Sequence, residues 1–377
     1  MFRFITALML TLAAISASAS PLPDRNQIDN WLDNLGADGQ FDARKGIDWG
    51  VMPGPFYTPE LGPGIGAAIA GVYRPDESDK VSQNSTITIS GYGSATGAFG
   101  ASVENYGFYD NDNWRFYLKG RAANTPTYFW GEGFDAGRHG HNRQQYTARE
   151  FSVNPQLMRK VAPDTYLGLN WSLSSMSAER IQNRHKQTLA NTKDGPSVFS
   201  SGPGVILSYD TRDFVPNPRR GVNAGLGYTH YSPDTGGDTR FDRIDSQLGY
   251  YRSLDDKRVL AWEANGVFTQ GRVPWNEMPS LGSSNRMRGY YEGRYRDRNT
   301  FSTQIEYRQK LSWRHGIVGW LGAGTMSRHF HTLGEGRWLP TAGAGYRFAF
   351  KPGINVRLDY GLGRRSSGFY FQVGEAF

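Results

Sequence analysis

From residue 64 onward apolar and polar positions swap with a period of two, the mark of a strand that buries one face. The pattern is cleanest late in the chain. Over residues 258–270, Leu260, Trp262, Ala264 and Phe268 share one face; Ala261, Glu263, Asn265 and Thr269 share the other. Over 301–311, Phe301, Thr303, Ile305 and Tyr307 oppose Ser302, Gln304, Glu306, Arg308 and Lys310. Over 341–350, Ala342, Ala344, Tyr346, Phe348 and Phe350 oppose Gly343, Gly345 and Arg347. Over 354–361, Ile354, Val356, Leu358 and Tyr360 oppose Asn355, Arg357 and Asp359.

Fifteen segments read as strands: 64–73, 85–92, 98–109, 113–121, 146–153, 165–174, 204–210, 221–231, 239–254, 258–270, 301–311, 316–326, 341–350, 354–361 and 368–377. Asx-rich or proline turns separate several, as at Tyr109-Asp110-Asn111-Asp112-Asn113 and Pro216-Asn217-Pro218. A soluble half-buried sheet would alternate in the same way. Three features favour a membrane barrel. Many segments approach the 9–11 residues that a tilted membrane strand needs. No helical pattern long enough to cover a sheet follows residue 60, and the last segment is itself a strand. Bacterial single-chain barrels usually have an even strand number. The missing strand is expected within residues 122–202, which hold the polar stretches 124–145 and 178–201.

Residues 1–19 read as a signal peptide. Arg3 gives the positive start, residues 5–15 the apolar core, and Ala17-Ser18-Ala19 the small-residue cleavage site. Residues 20–63 read as a periplasmic segment with one short helix at 26–35, which puts Ile28, Trp31, Leu32 and Leu35 on a face. Residues 46–63 are rich in Gly and Pro and do not read as barrel. The barrel is expected to span 64–377.

Composition changes this picture little. The 377 residues include no cysteine, so disulfide scaffolds and thiolate metal sites are excluded. Forty-seven glycines and 14% aromatics suit barrel strands with aromatic girdles. Net charge is +7, but the cations are scattered among acids and no basic helix is visible. Lumen lining or contact with anionic headgroups fits this better than nucleic acid.

The most charged stretch is 285–297, with four arginines, two acids, three tyrosines and two glycines. Its cations need carboxylates or water, which the inside of a water-filled barrel could supply. A solvated surface loop is the other reading. His139-Gly140-His141 and His329-Phe330-His331 are the close histidine pairs, and solvated loop positions are their ordinary reading. No nucleophile elbow, metalloprotease helix or spaced Ser-His-Asp set is present. No enzyme, cofactor or metal site is read.

Arg288-Gly289-Tyr290, between two late strands, resembles the Arg-Gly-aromatic signature of the BamA/TamA-like bacterial surface antigen superfamily. Tyr209-Asp210-Thr211-Arg212-Asp213, then Pro218-Arg219-Arg220-Gly221, is similar to that family's strand end and restart. Pro279-Ser280-Leu281-Gly282, Arg296-Asp297 and Glu306-Tyr307-Arg308 follow in the family's order. Phe377, closing an alternating strand, resembles the C-terminal signal read by the barrel-assembly machinery. The resemblance covers 64–377. It implies an all-β fold: a 16-stranded antiparallel transmembrane β-barrel in the bacterial outer membrane, with an extracellular loop folded inward.

Two departures stand out. Residues 20–63 leave no room for the periplasmic POTRA domains of the assembly and secretion members. The family's aromatic-x-Asp-x-Gly motif, whose Asp pairs with the loop arginine, is here Trp320-Leu321-Gly322-Ala323-Gly324, with Gly322 in place of the acid. Arg288 needs another partner, and Glu306 and Asp359, on the expected lumen face, are the candidates. The function implied is membrane protein assembly, polypeptide translocation or a structural derivative. A gated or plugged pore is the alternative, and a rim-site hydrolase a third reading. Implied partners are outer-membrane lipid and lipopolysaccharide, the barrel-assembly machinery during biogenesis, and a polypeptide client. The lateral seam is expected between 64–73 and 368–377.

Overall fold

In the computed structural model the alternating segments become strands β1 Ile47–Thr58, β2 Gly62–Tyr73, β3 Ser85–Ser94, β4 Phe99–Tyr109, β5 Trp114–Phe129 and β6 Gln144–Ala162. There follow β7 Thr165–Glu179, β8 Ser197–Asp210, β9 Gly221–Tyr231, β10 Phe241–Ser253, β11 Arg258–Gly271, β12 Ser280–Leu281 and β13 Tyr295–Arg296. The last are β14 Asn299–Ser312, β15 His315–Ser327, β16 Leu339–Lys351, β17 Ile354–Gly363 and β18 Ser366–Val373. The structure describes Asn26, Asn30, residues 33–35, 46–182, Leu189, 192–351 and 353–377. The expected signal peptide lies outside the described residues, as do Ile28, Trp31 and Leu32 of the expected helix; Asn26, Asn30, Asp33 and Asn34 are helical.

Among the described residues, sixteen strands close into one antiparallel barrel, each paired with its sequence neighbours and β1 meeting β18. The short strands β12 and β13 pair with each other inside the connection 272–298. Alternation sets the two faces. In β14, Ile305 and Tyr307 are 42% and 39% exposed on the outside, while Glu306 between them is 0% exposed. The connections 130–143, 272–298 and 328–338 lie at one end, with the short turn 364–365; the turns 163–164 and 313–314 lie at the other, with the connections 74–84 and 211–220. No described helix is long and apolar enough to cross a membrane.

All fifteen expected segments lie on barrel strands, but the sixteenth is elsewhere. It is β1, inside the segment expected to precede the barrel, so the barrel starts at Ile47 rather than at 64. The described residues of 122–202 hold no extra strand; β5, β6, β7 and β8 extend through much of that region. β1 was misread because its Gly50, Pro53, Gly54 and Pro55 look like loop chemistry. Proline is tolerated on an edge strand, where a missing N–H breaks no central ladder.

The seam is therefore between β1 and β18. Its recorded register is a single pair, Tyr57↔Phe371, whereas β1 pairs with β2 along all twelve residues. The direction of β1's amides explains this. Alternate residues of a strand aim N–H and C=O at opposite neighbours. Val51 donates its N–H to the Leu35 carbonyl, outside the β1–β2 ladder. Pro53 and Pro55 share that parity, so both missing donors fall on the seam side. From the other side, β18 stops at Val373, short of the strand expected through 377. Gly374, at φ +91°, turns the chain inward. Glu375, which strand alternation alone would put on the face of Phe369, instead enters the lumen.

Candidate functional site: a lock inside the lumen

The connection 272–298 folds back into the barrel, held first by apolar contacts. Trp275 packs with Phe129, Tyr146, Ala148, Ala178 and Val198 of the inner wall and with Leu189 of connection 180–196. Its Nε1–H donates to the Gly195 carbonyl at 3.1 Å, and Arg272 pairs with Asp194 at 2.7 Å. The two connections thus fasten each other. Deeper in, Leu281, Met287, Tyr290 and Tyr295 form a second cluster with Met326 of β15 and Leu339 of β16.

Arg288 lies at the tip, 0% exposed. Its Nη2 donates to Glu306 Oε2 at 2.6 Å and its Nη1 to Asp359 Oδ2 at 2.7 Å. Both acids are also fully buried. The guanidinium lies 3.5 Å from the centroid of Trp320, which faces Glu306 across the β14–β15 ladder. The structure thus brings Arg288, Glu306 and Asp359 together and adds an aromatic face to them. Trp320 belongs to the motif that lacks its acid. Glu306, on the neighbouring strand, reaches Arg288 in its place.

The lock extends past the expected residues. Glu306 Oε1 accepts from Arg308 Nε at 2.9 Å, and Asp359 Oδ1 accepts from Arg347 at 2.6 Å. Arg357 reaches Asp359 at 3.1 Å, and Arg347 also holds Glu375 at 2.8 Å. Four arginines therefore share three carboxylates in a buried network, where shared, charge-assisted bonds limit the cost of desolvation. Backbone contacts complete it. Gly289 N–H donates to the Tyr370 hydroxyl at 2.9 Å, and the Thr341 hydroxyl donates to the Arg288 carbonyl at 2.5 Å. The Tyr290 hydroxyl donates to the Pro340 carbonyl at 2.7 Å. Arg347 and Arg357 were visible in the sequence as inward positions of alternating strands. Tyr370 carried no signal beyond its parity, and Glu375 was hidden by the turn at Gly374. Phe377 places its ring 5.3 Å from the Arg308 guanidinium, and its carbonyl accepts from Arg308 at 2.6 Å.

A family model described as the Omp85 superfamily domain matches residues 87–377. The chain belongs to the Omp85 superfamily. Its barrel resembles BamA from Haemophilus ducreyi lacking POTRA domains 1-3, at 12% identity over 86% of this chain and 70% of that one, TM-score 0.52. It is also similar to CdiB from Acinetobacter baumannii, at 10% identity over 95% of this chain and 69% of that one, TM-score 0.52. CdiB from Escherichia coli matches at 12% identity over 88% of this chain and 62% of that one, TM-score 0.54. No curated protein sequence matches the chain. As an Omp85 barrel it is an outer-membrane protein, and the end that carries 130–143, 272–298 and 328–338 is assigned as extracellular by the longer loops of such barrels.

The histidine pairs lie at that end. The His139 and His141 rings are 5.4 Å apart and those of His329 and His331 5.6 Å. Among the described residues no group of three or more His, Cys, Asp or Glu gathers as a metal site.

The Omp85 loop also carries a titrating contact. The Glu292 N–H donates to Glu60 Oε1 at 2.9 Å, bringing two acids together. The protein wall around it, although the side chain keeps contact with lumen water, and then the nearby Glu60 carboxylate push the Glu292 carboxyl upward from 4.5, towards about 7. An acid whose value is raised by docking holds its proton more tightly in the docked state. Its stabilising contribution is present below the ordinary value and is lost as pH rises through about 7. Protease cleavage within 285–297 is therefore expected to be faster at pH 8 than at pH 5, and Glu292→Gln should shrink that difference, leaving the part that Glu60 carries. Equal rates in the wild type would contradict the assignment.

Proposed function

We propose that this Omp85 barrel handles polypeptide chains at the outer membrane through its seam. The observation that carries this reading is the pairing of β1 with β18 at Tyr57↔Phe371 alone, with Pro53 and Pro55 both aimed at the gap. Such an edge parts without breaking a long ladder, and its remaining carbonyls and amides can receive another strand. The locked lumen loop supports a lateral route over a central one.

The test is a reversible lock. Tyr57→Cys with Phe371→Cys joins directly opposed positions, and the chain has no cysteine of its own to interfere. Opposed strand residues lie about 4.5–5.5 Å apart at Cα, within disulfide range. Vesicles holding the reduced double variant should speed the folding of an unfolded outer-membrane barrel client. Oxidation should abolish the effect and reductant restore it. Equal acceleration in both states would rule out the seam.

A gated pore is the second reading. It is favoured by the charged, inward-facing side chains Glu104, Lys119, Arg121 and Glu150 on β4, β5 and β6, on a wall opposite the lock. Conductance measurements separate it from the first.

A further inference from the structure

The connection between β8 and β9, residues 211–220, does not hang beneath the barrel but crosses its periplasmic mouth. At its root, Asp210 is held by Arg212 at 2.8 Å and by Arg115 of β5 at 2.8 Å, a pair that bridges the two strands between β5 and β8. Its middle reaches far around the rim. Val215 N–H donates to the Gln83 side-chain carbonyl, in the β2–β3 connection, at 3.1 Å. Phe214 lies over Gly353 of the β16–β17 turn, with Cε1 2.5 Å from where a Cβ would be. The segment therefore touches turns on both sides of the seam although it starts at the far wall. Val215 and Pro218 are buried, which a solvated turn would not require.

Its far end meets the lock. Arg308 donates Nη1 to the Pro218 carbonyl at 3.3 Å, Nη2 to the Phe377 carbonyl at 2.6 Å and Nε to Glu306 at 2.9 Å. Glu306 gives its other oxygen to Arg288. One carboxylate thus joins the extracellular loop to the periplasmic segment.

We propose that residues 211–220 are a second, inner gate, coupled to the extracellular loop through Glu306. The bond to Pro218 is the longest of the three that Arg308 makes, so it is the first to yield. When Arg288 leaves, Glu306 has a buried oxygen without a donor. It can then take a second donor from Arg308, in the two-pronged geometry that guanidinium and carboxylate favour. The fork with Nε is completed by Nη2, which leaves the Phe377 carbonyl, and the accompanying turn of the guanidinium draws Nη1 off its long bond to Pro218 and loosens the segment. Opening outside then prepares opening inside. The coupling holds for a polypeptide route and for a solute pore alike.

The test reads the inner gate directly. Val215→Cys provides the single thiol in the chain, at a position 7% exposed in the closed state. Its labelling by a membrane-impermeant maleimide is measured on the full chain refolded in lipid vesicles made leaky to the reagent. Resistance of the barrel to cold detergent serves as the folding check. Labelling should rise at least tenfold in Arg308→Ala, which cuts the segment free, and several-fold in Arg288→Ala, which acts from the other side. Arg288→Met keeps most of the volume and leaves the Glu306 carboxylate free to pair with Arg308, so it should match Arg288→Ala, and it serves if that variant does not fold. Unchanged labelling in Arg308→Ala overturns the gate. A rise in Arg308→Ala with none in Arg288→Ala or Arg288→Met overturns the coupling.

Discussion

Arg288→Ala is expected to turn a closed barrel into a conducting one. In planar bilayers the wild type should stay shut or flicker, and the variant should show larger and steadier single-channel currents. The substitution removes two ion pairs and the cation that lies on Trp320, all without solvent contact. Breaking a buried pair by deleting one partner costs about 3–5 kcal/mol, because the remaining charge stays buried and poorly matched. Glu306 and Asp359 keep Arg308, Arg347 and Arg357, so the barrel wall should survive while the loop leaves. Arg288→Lys should fall between the two, since a single ammonium cannot reproduce a fork that reaches two carboxylates. A wide current indifferent to the substitution would mean that the loop is not the plug. Silence in both would leave a sealed barrel and move attention to the seam.

Gly289→Ala is expected to have the same effect with no change of charge. Gly289 sits at φ +104°, where side chains are strained, and a Cβ there would lie 2.7 Å from the Leu362 carbonyl carbon. The contact is mutual. A Cβ on Gly361 would lie 2.6 Å from the carbonyl carbon of Arg288. Loop and wall therefore meet backbone to backbone, and neither has a flexible side-chain end that could yield. Overpacking of this kind costs about 1–3 kcal/mol even where some repacking is available. Either substitution should lift the tip of the loop, speed its proteolysis and raise conductance. Gly225→Ala on β9, where a Cβ meets nothing within 4 Å, should leave all three unchanged. If Gly289→Ala behaved like Gly225→Ala, the close crossing would not be holding the loop.

The barrel was legible in the sequence because one physical rule repeats along it. A wall with lipid outside and polar groups inside forces period two, and the fifteen segments obey it well enough to be found. The lock was partly legible for the same reason. Parity placed Glu306 and Asp359 on the lumen face, and the missing acid at Gly322 left Arg288 in need of them. What stayed hidden depends on breaks in the rule. β1 is a strand carrying two prolines, acceptable only because its partner there is nearly absent. Glu375 changes face because one glycine takes a left-handed turn. The crossing of the mouth by residues 211–220 rests on contacts 132 positions apart, from Val215 to Gln83, which no local pattern encodes.

The brevity of β18 also bears on the lipid around it. β18 has eight residues, whereas β6, across the barrel, has nineteen. At about 3.3 Å per residue and a tilt of about 40°, eight residues rise only about 20 Å. A hydrocarbon core is about 30 Å thick. The bilayer must thin where it meets this strand, and each ångström of mismatch adds a fraction of a kcal/mol. The membrane beside the seam is thereby expected to be part-way deformed, which lowers the barrier to rearranging the lipid there.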